Sequence, residues 1–141
     1  MRDLETISAD VVDLALKLHR ELGPGLLESV YETVLAGKLS AMGYRVDRQL
    51  PIDIEFDGMR FENAFRVDIL IDGRLLLEIK SVEHLSQAHA KQLLTYLRLM
   101  KQPLGLLINF GAATLKEGLR RVVNDHTSFA SSRLRVNKIQ E

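Results

Sequence analysis

Cysteine is absent from the 141 residues, which excludes disulfides, thiolate metal ligands and a cysteine nucleophile together. Any metal must therefore be held by oxygen or imidazole. Proline is scarce, at three residues, and no stretch is repeated, low in complexity or linker-like. With 46% hydrophobic and 27% charged residues, the composition is that of an ordinary globular protein and not of a disordered one. No apolar run approaches the ~20 residues needed to span a bilayer, and the Met1–Glu5 start is polar instead of an apolar signal core. A cytoplasmic location without a membrane partner is the expectation. A charge excess is missing as well: 19 Lys and Arg balance 19 Asp and Glu, so no whole-molecule field steers the chain toward a polyanion. That counts against a nucleic-acid partner without closing the case. Carboxylates gathered around a metal would cancel basic charge elsewhere, and the stretch from Arg133 to Lys138 is locally basic.

The length suits a single domain, residues 1–141, with a core over about residues 8–124 and a polar tail over 125–141. Ser8 is a candidate N-cap for a first helix, with Val11, Leu14, Ala15, Leu18 and Leu22 at helical spacing and Gly23-Pro24-Gly25 as its stop. A second helix is expected from about Leu26 to Met42, with Leu27, Val30, Val34, Leu35 and Leu39 on its buried side and Gly43 at its end. Together they predict a helical hairpin. The period then changes to two: Val46, Arg48 and Leu50, then Ile52, Ile54 and Phe56, alternate with other residues up to an Asp57-Gly58 turn. Two more strands, Arg60–Ile71 and Arg74–Val82, flank Asp72-Gly73, a hairpin signal. Ser86 can cap a helix running to about Lys101, Leu104–Phe110 suits a central strand, and Leu115–Asn124 reads equally as a short helix or an edge strand.

Three charges interrupt the apolar hairpin strands. Asp68 lies within Phe65–Ile71, and Glu78 with Lys80 sits in the run Leu75–Ile79, where charged residues are normally avoided. Residues 78 and 80 share one strand face, and hairpin pairing brings Asp68 alongside. Two neighbouring carboxylates repel each other, and a Mg²⁺ or Mn²⁺ ion resolves that repulsion while leaving coordination positions for water and phosphate. An adjacent lysine could orient the attacking water or stabilise charge on the phosphate. The arrangement suits phosphodiester hydrolysis.

The spacing Asp68, Glu78-Ile79-Lys80 resembles the PD-(D/E)xK nuclease signature, with Val67 where the signature's name has proline. Gln92-Leu-Leu-Thr-Tyr96 is similar to the Q-x-x-x-Y element of the RecB-like branch, and Gly25-Leu-Leu-Glu28-Ser-Val-Tyr31 resembles the motif of the GxxExxY family. The resemblance implies an α/β (α+β), restriction-endonuclease-like fold: a mixed sheet flanked by helices, here with an N-terminal helical hairpin. It further implies a metal site of Glu28, Asp68, Glu78 and the Ile79 carbonyl, a catalytic Lys80, and Gln92 and Tyr96 as positioning groups one helical turn apart. The partner implied is nucleic acid, DNA ahead of RNA; oligomerisation or a protein partner is left open.

Each residue also has a plainer role. Glu78 and Lys80 alone would suit an ion pair at a solvated sheet edge, and Glu28 alone would complement a helix dipole. Tyr31 could bond Glu28 or simply fill the core. His89 shares a face with Gln92, and His19 could orient a neighbour; both are weaker candidates. Gly23-Pro24-Gly25 lacks the spacing of a phosphate-binding loop. A silent nuclease-fold module that binds nucleic acid or a protein partner is the alternative to an enzyme. The metal site also carries a geometric condition. A strict two-residue Asp72-Gly73 loop would set Asp68 against Leu77 and turn Glu78 to the other face, so a third loop residue or a bulge near Asp68 is required.

Overall fold

The N-terminal helix α1, Leu4–Leu22, begins one turn earlier than Ser8 would start it. Asp3 is the cap, accepting the Thr6 N–H at 2.8 Å on its carboxylate, while Ser8 is buried inside the helix. The reason is the longer apolar stripe: Ile7 joins Val11, Ala15 and Leu18 against the core, so the helix extends back until a side chain can satisfy its free amides. At the other end the Gly23 N–H donates to the His19 carbonyl with φ 73, a backbone conformation that favours glycine. Helix α2 is Glu28–Ala41, shorter than the expected span, and its buried residues are Tyr31, Glu32, Leu35, Ala36 and Leu39. Leu27 and Val30, expected inside, are 76% and 38% exposed, because the helix meets the core through the Tyr31–Leu35–Leu39 line.

A computed structural model describes residues 2–125 and the backbone of Leu134–Lys138. After the two helices come β1 (Val46–Phe56), β2 (Met59–Ile71), β3 (Leu75–Lys80), α3 (Gln87–Met100), β4 (Leu104–Asn109), α4 (Leu115–Gly118), β5 (Leu119–Val123) and β6 (Leu134–Lys138). The segment that read equally as helix or strand contains one turn of helix followed by a strand. The expected polar tail is corrected over Leu134–Lys138, which pairs antiparallel with Ile52–Phe56; residues 126–133 and 139–141 lie outside the described residues. Alternation of Leu134 and Val136 with Arg133, Arg135 and Asn137 was the available signal. Strand β3 ends at Lys80 and not Val82, where Asn109 takes over its backbone: Asn109 Oδ1 accepts the Val82 N–H at 2.9 Å and its Nδ2 donates to the Val82 carbonyl at 2.8 Å.

The strands form one mixed sheet in the order β5-β4-β3-β2-β1-β6, parallel only between β3 and β4, which α3 connects. Helices cover both faces. On one, α1 and α2 bury Ile69, Ile71, Leu75, Leu77, Ile79, Leu104, Leu106 and Ile108; on the other, α3 buries Leu70, Leu76 and Leu107 beneath Leu93, Leu97 and Met100. Strands β3 and β4 are apolar on both sides for this reason. This is an α+β, restriction-endonuclease-like architecture.

One residue sets the register on which the site depends. Asp72 and Gly73 have φ 50 and 67 and form a tight turn closed by the Arg74 N–H on the Ile71 carbonyl at 2.9 Å. Ile71 nevertheless pairs with Leu75, and the ladder continues through Leu70–Leu76 and Ile69–Leu77. Arg74 is thus the extra residue, and the next position in register sets Asp68 against Glu78.

Candidate active site

At Asp68 and Glu78 the β2–β3 ladder stops, and side chains replace its backbone bonds. Asp68 donates its own N–H to Glu78 Oε2 at 3.0 Å, and the Ile79 N–H donates to Asp68 Oδ2 at 2.8 Å. The two strands fork here, β3 continuing alongside β4 through Lys80–Asn109. Within a strand a residue's N–H and C=O point to the same edge. The Ile79 carbonyl therefore opens toward the fork that holds Asp68. By the same alternation Glu78 and Lys80 follow Leu76 on the α3 face, while the Ile79 side chain packs beneath α1 and α2.

The first strand is irregular at the same level. Arg48 pairs with Ile69 and Leu50 with Val67, but Gln49, opposite Asp68, takes φ 49 and leaves the ladder. Sidedness changes across this pair. Val46, Ile69 and Ile71 belong to the α1/α2 core, whereas Leu50, Ile52, Val67 and Phe65 belong with α3. The irregularity required near Asp68 is therefore present twice, as the Arg74 insertion and as the kink in the neighbouring strand. A register shift does occur between Ile52 and Ile54, around Asn63 at φ 52, but it lies away from the carboxylates.

Glu78 is 5% exposed, and its acidity is strongly perturbed. Burial foremost, then the Asp68 charge, pushes its carboxyl up to about 8, against the Asp68 N–H bond and the Lys80 ammonium, which act in the opposite direction; Glu32 adds a smaller upward push. Tyr96 on α3 is also raised, by burial first and then by the Glu78 and Asp68 charges, so its hydroxyl keeps its proton. Its ring stacks on Phe65 with centroids 4.2 Å apart. Asp68, Glu78, Lys80, Tyr96 and the Ile79 backbone are thus gathered at one place. Gln92 is on the same helix one turn before Tyr96, exposed.

Glu28 is not brought to the pair. It is the exposed first residue of α2 and borders an open depression with Leu26, Leu27, Ser81, Val82 and Glu83. The helix acid at the site is instead Glu32, buried, with Arg48 Nε donating to its Oε2 at 3.1 Å and Gln49 Nε2 to its Oε1 at 2.7 Å. Neither Glu32 nor Gln49 belongs to the motifs. The available signal for Glu32 was an acid placed three, four and seven residues before the apolar Leu35, Ala36 and Leu39; for Gln49 the sequence carries none.

The three weaker candidates have structural partners. The Tyr31 hydroxyl donates to the Gly23 carbonyl at 2.6 Å and accepts the Leu26 N–H at 3.1 Å, clasping the α1–α2 loop, with no bond to Glu28. His19 bonds the Ala112 carbonyl at 2.9 Å. His89 Nδ1 accepts the Ser86 N–H at 3.1 Å and completes the start of α3.

Two carboxylates and a backbone carbonyl form an all-oxygen donor set, the type that suits a hard divalent cation. The raised pKa of Glu78 fits the same reading, since burial and the Asp68 charge leave its anionic form under-compensated. No group of three or more acidic or histidine side chains able to hold a metal is assembled among the described residues. The chain would thus supply two side-chain ligands at most from this pair. Among the described residues no helix is long and apolar enough to cross a membrane.

Comparison with known proteins adds one finding. A family model described as the PD-(D/E)XK nuclease superfamily matches residues 5–122, from the first turn of α1 into β5. No curated protein and no solved structure matches. Proteins of this type are nucleases and generally use divalent metals. With most of its length matched, and with Asp68, Glu78 and Lys80 gathered at the strand fork, the chain belongs to the PD-(D/E)XK nuclease superfamily.

Proposed function

We propose that the chain hydrolyses DNA phosphodiester bonds by water attack, with Mg²⁺ or Mn²⁺ held by Asp68, Glu78 and the Ile79 carbonyl. The observation that supports this best is the register: Arg74 is inserted at the turn, Asp68 opposes Glu78, and each carboxylate takes an amide from the opposite strand. When bound, the cation supplies Lewis acidity toward a phosphoryl oxygen and makes water a better nucleophile at neutral pH. Lys80 Nζ, on the face of Glu78, orients the attacking water and offsets charge on the phosphate. Tyr96, kept protonated, donates a hydrogen bond from its hydroxyl, and Gln92 extends the same helical edge toward substrate. The Gly25-to-Tyr31 run supports placement in the GxxExxY branch, with Tyr31 serving the loop and not the chemistry.

The test is cleavage of duplex, single-stranded and branched DNA and of RNA, with Mn²⁺ and with chelator. Cleavage of at least one DNA substrate is expected, lost on chelation and in Lys80→Ala. Activity that survives both would overturn the mechanism. No cleavage of any substrate, with nucleic-acid binding unaffected by metal and by Glu78→Ala, would instead support a catalytically silent nucleic-acid-binding module.

A further inference from the structure

Five residues other than glycine have a left-handed backbone among the described residues, and four have a local reason for it. Asp57 and Asp72 are in turns, Lys101 caps α3, and Asn63 is where β1 and β2 shift register. Gln49 alone sits within a strand whose register is the same on both sides, between the pairs Arg48–Ile69 and Leu50–Val67. Such a conformation persists only where the surroundings over-determine it, and those surroundings are concentrated at functional sites. Here they are two carboxylates. The Gln49 Nε2 donates to Glu32 Oε1 at 2.7 Å and to Asp68 Oδ1 at 3.3 Å. Arg48 holds Glu32 from the other side and reaches Thr33 Oγ1 at 2.9 Å, so the amide of the exposed Gln49 is anchored to an acid of α2 that is itself held in place.

We propose that Gln49 is a positioning residue that fixes the carboxylate plane of Asp68, using the buried Glu32, itself held by the exposed Arg48, as its anchor. Asp68 Oδ2 is already held by the Ile79 amide. The Gln49 amide supplies the second constraint, on Oδ1, and two points define an orientation where one leaves a rotation. The left-handed turn of the backbone delivers this. It takes residue 49 out of the ladder and lets two successive side chains, Arg48 and Gln49, reach the same helix acid. Groups that hydrogen-bond to ligating carboxylates typically change metal affinity or activity by roughly 10–100-fold when removed.

The inference rests on the proposed cation site, and Mn²⁺ affinity, measured calorimetrically on the full chain, tests both separately. Gln49→Ala and Gln49→Gly should each weaken Mn²⁺ binding by about tenfold or more while unfolding cooperatively. The glycine variant is decisive, because glycine keeps the left-handed backbone without strain and loses only the amide. Wild-type Mn²⁺ affinity in a folded Gln49→Gly would overturn the positioning role while leaving the nuclease reading intact. No Mn²⁺ binding by the wild type, or unchanged binding by Asp68→Ala, would overturn both.

Discussion

Replacing Glu78 by glutamine should stabilise the metal-free protein at alkaline pH, an unusual expectation for a residue of a proposed active site. The side chain is 5% exposed, and burial with the Asp68 charge raises its pKa from an ordinary 4.5 to about 8. Between those values the unfolded chain has lost the Glu78 proton while the folded chain retains it. Stability therefore falls as pH rises through that window, and the loss is complete above about 8. At about 1.4 kcal/mol per tenfold change in acidity, the full cost is at most about 5 kcal/mol. Relaxation and water entry around a charged Glu78 recover part of it, leaving at least about 2 kcal/mol. Glutamine is neutral at every pH and its carbonyl can still accept the Asp68 N–H. Urea denaturation in chelator at pH 4.5 and 8.5 should thus show variant and wild type alike at the lower pH, with the variant more stable at the higher. An equal gap at both, or a variant less stable at pH 8.5, would refute the reasoning.

Lys80→Ala should cut cleavage by at least about 100-fold without weakening Mn²⁺ binding, since the lysine repels the cation and acts on substrate; calorimetry beside the cleavage assay separates the two. Tyr31→Phe removes the clasp between the Gly23 carbonyl and the Leu26 amide. It should lower stability in thermal unfolding by about 1–2 kcal/mol, while its stacking on Phe110 at 4.4 Å remains. Gly111→Ala would place a methyl 2.4 Å from the Val82 carbonyl oxygen and 2.6 Å from its nitrogen, backbone atoms that cannot swing away. It should cost at least about 2 kcal/mol and disturb the strand end that carries Lys80.

The chemistry was legible because a charge placed in an apolar strand costs stability unless a metal or a partner compensates it. Asp68, Glu78 and Lys80 stand out within the buried runs, and Tyr96 joins them through a helix whose stripe of Leu93, Leu97 and Met100 is plain. The geometric demand was legible too, since period-two alternation makes any one-residue slip visible. The identity of the inserted residue was not: Asp72-Gly73 forms a normal tight turn, and nothing marks Arg74 as the residue that follows it unpaired. The start of α1 was misplaced because Ser8 is a good cap by type, while Asp3 has the longer apolar stripe behind it. Glu32 was hidden by Glu28, four residues earlier in the motif, though only Glu32 lies on the buried line of α2. Gln49 lies beyond any local rule, because glutamine has no preference for a left-handed backbone; its conformation follows from two carboxylates supplied by distant parts of the chain.

Crystals soaked in Mn²⁺ test the central claim most directly through the anomalous signal of the ion. One peak is expected at the β2–β3 fork, within ligand distance of Asp68, Glu78 and the Ile79 carbonyl, and it should be lost in Asp68→Ala. A crystal with no peak at the fork, or a peak that persists without Asp68, would contradict the cation site.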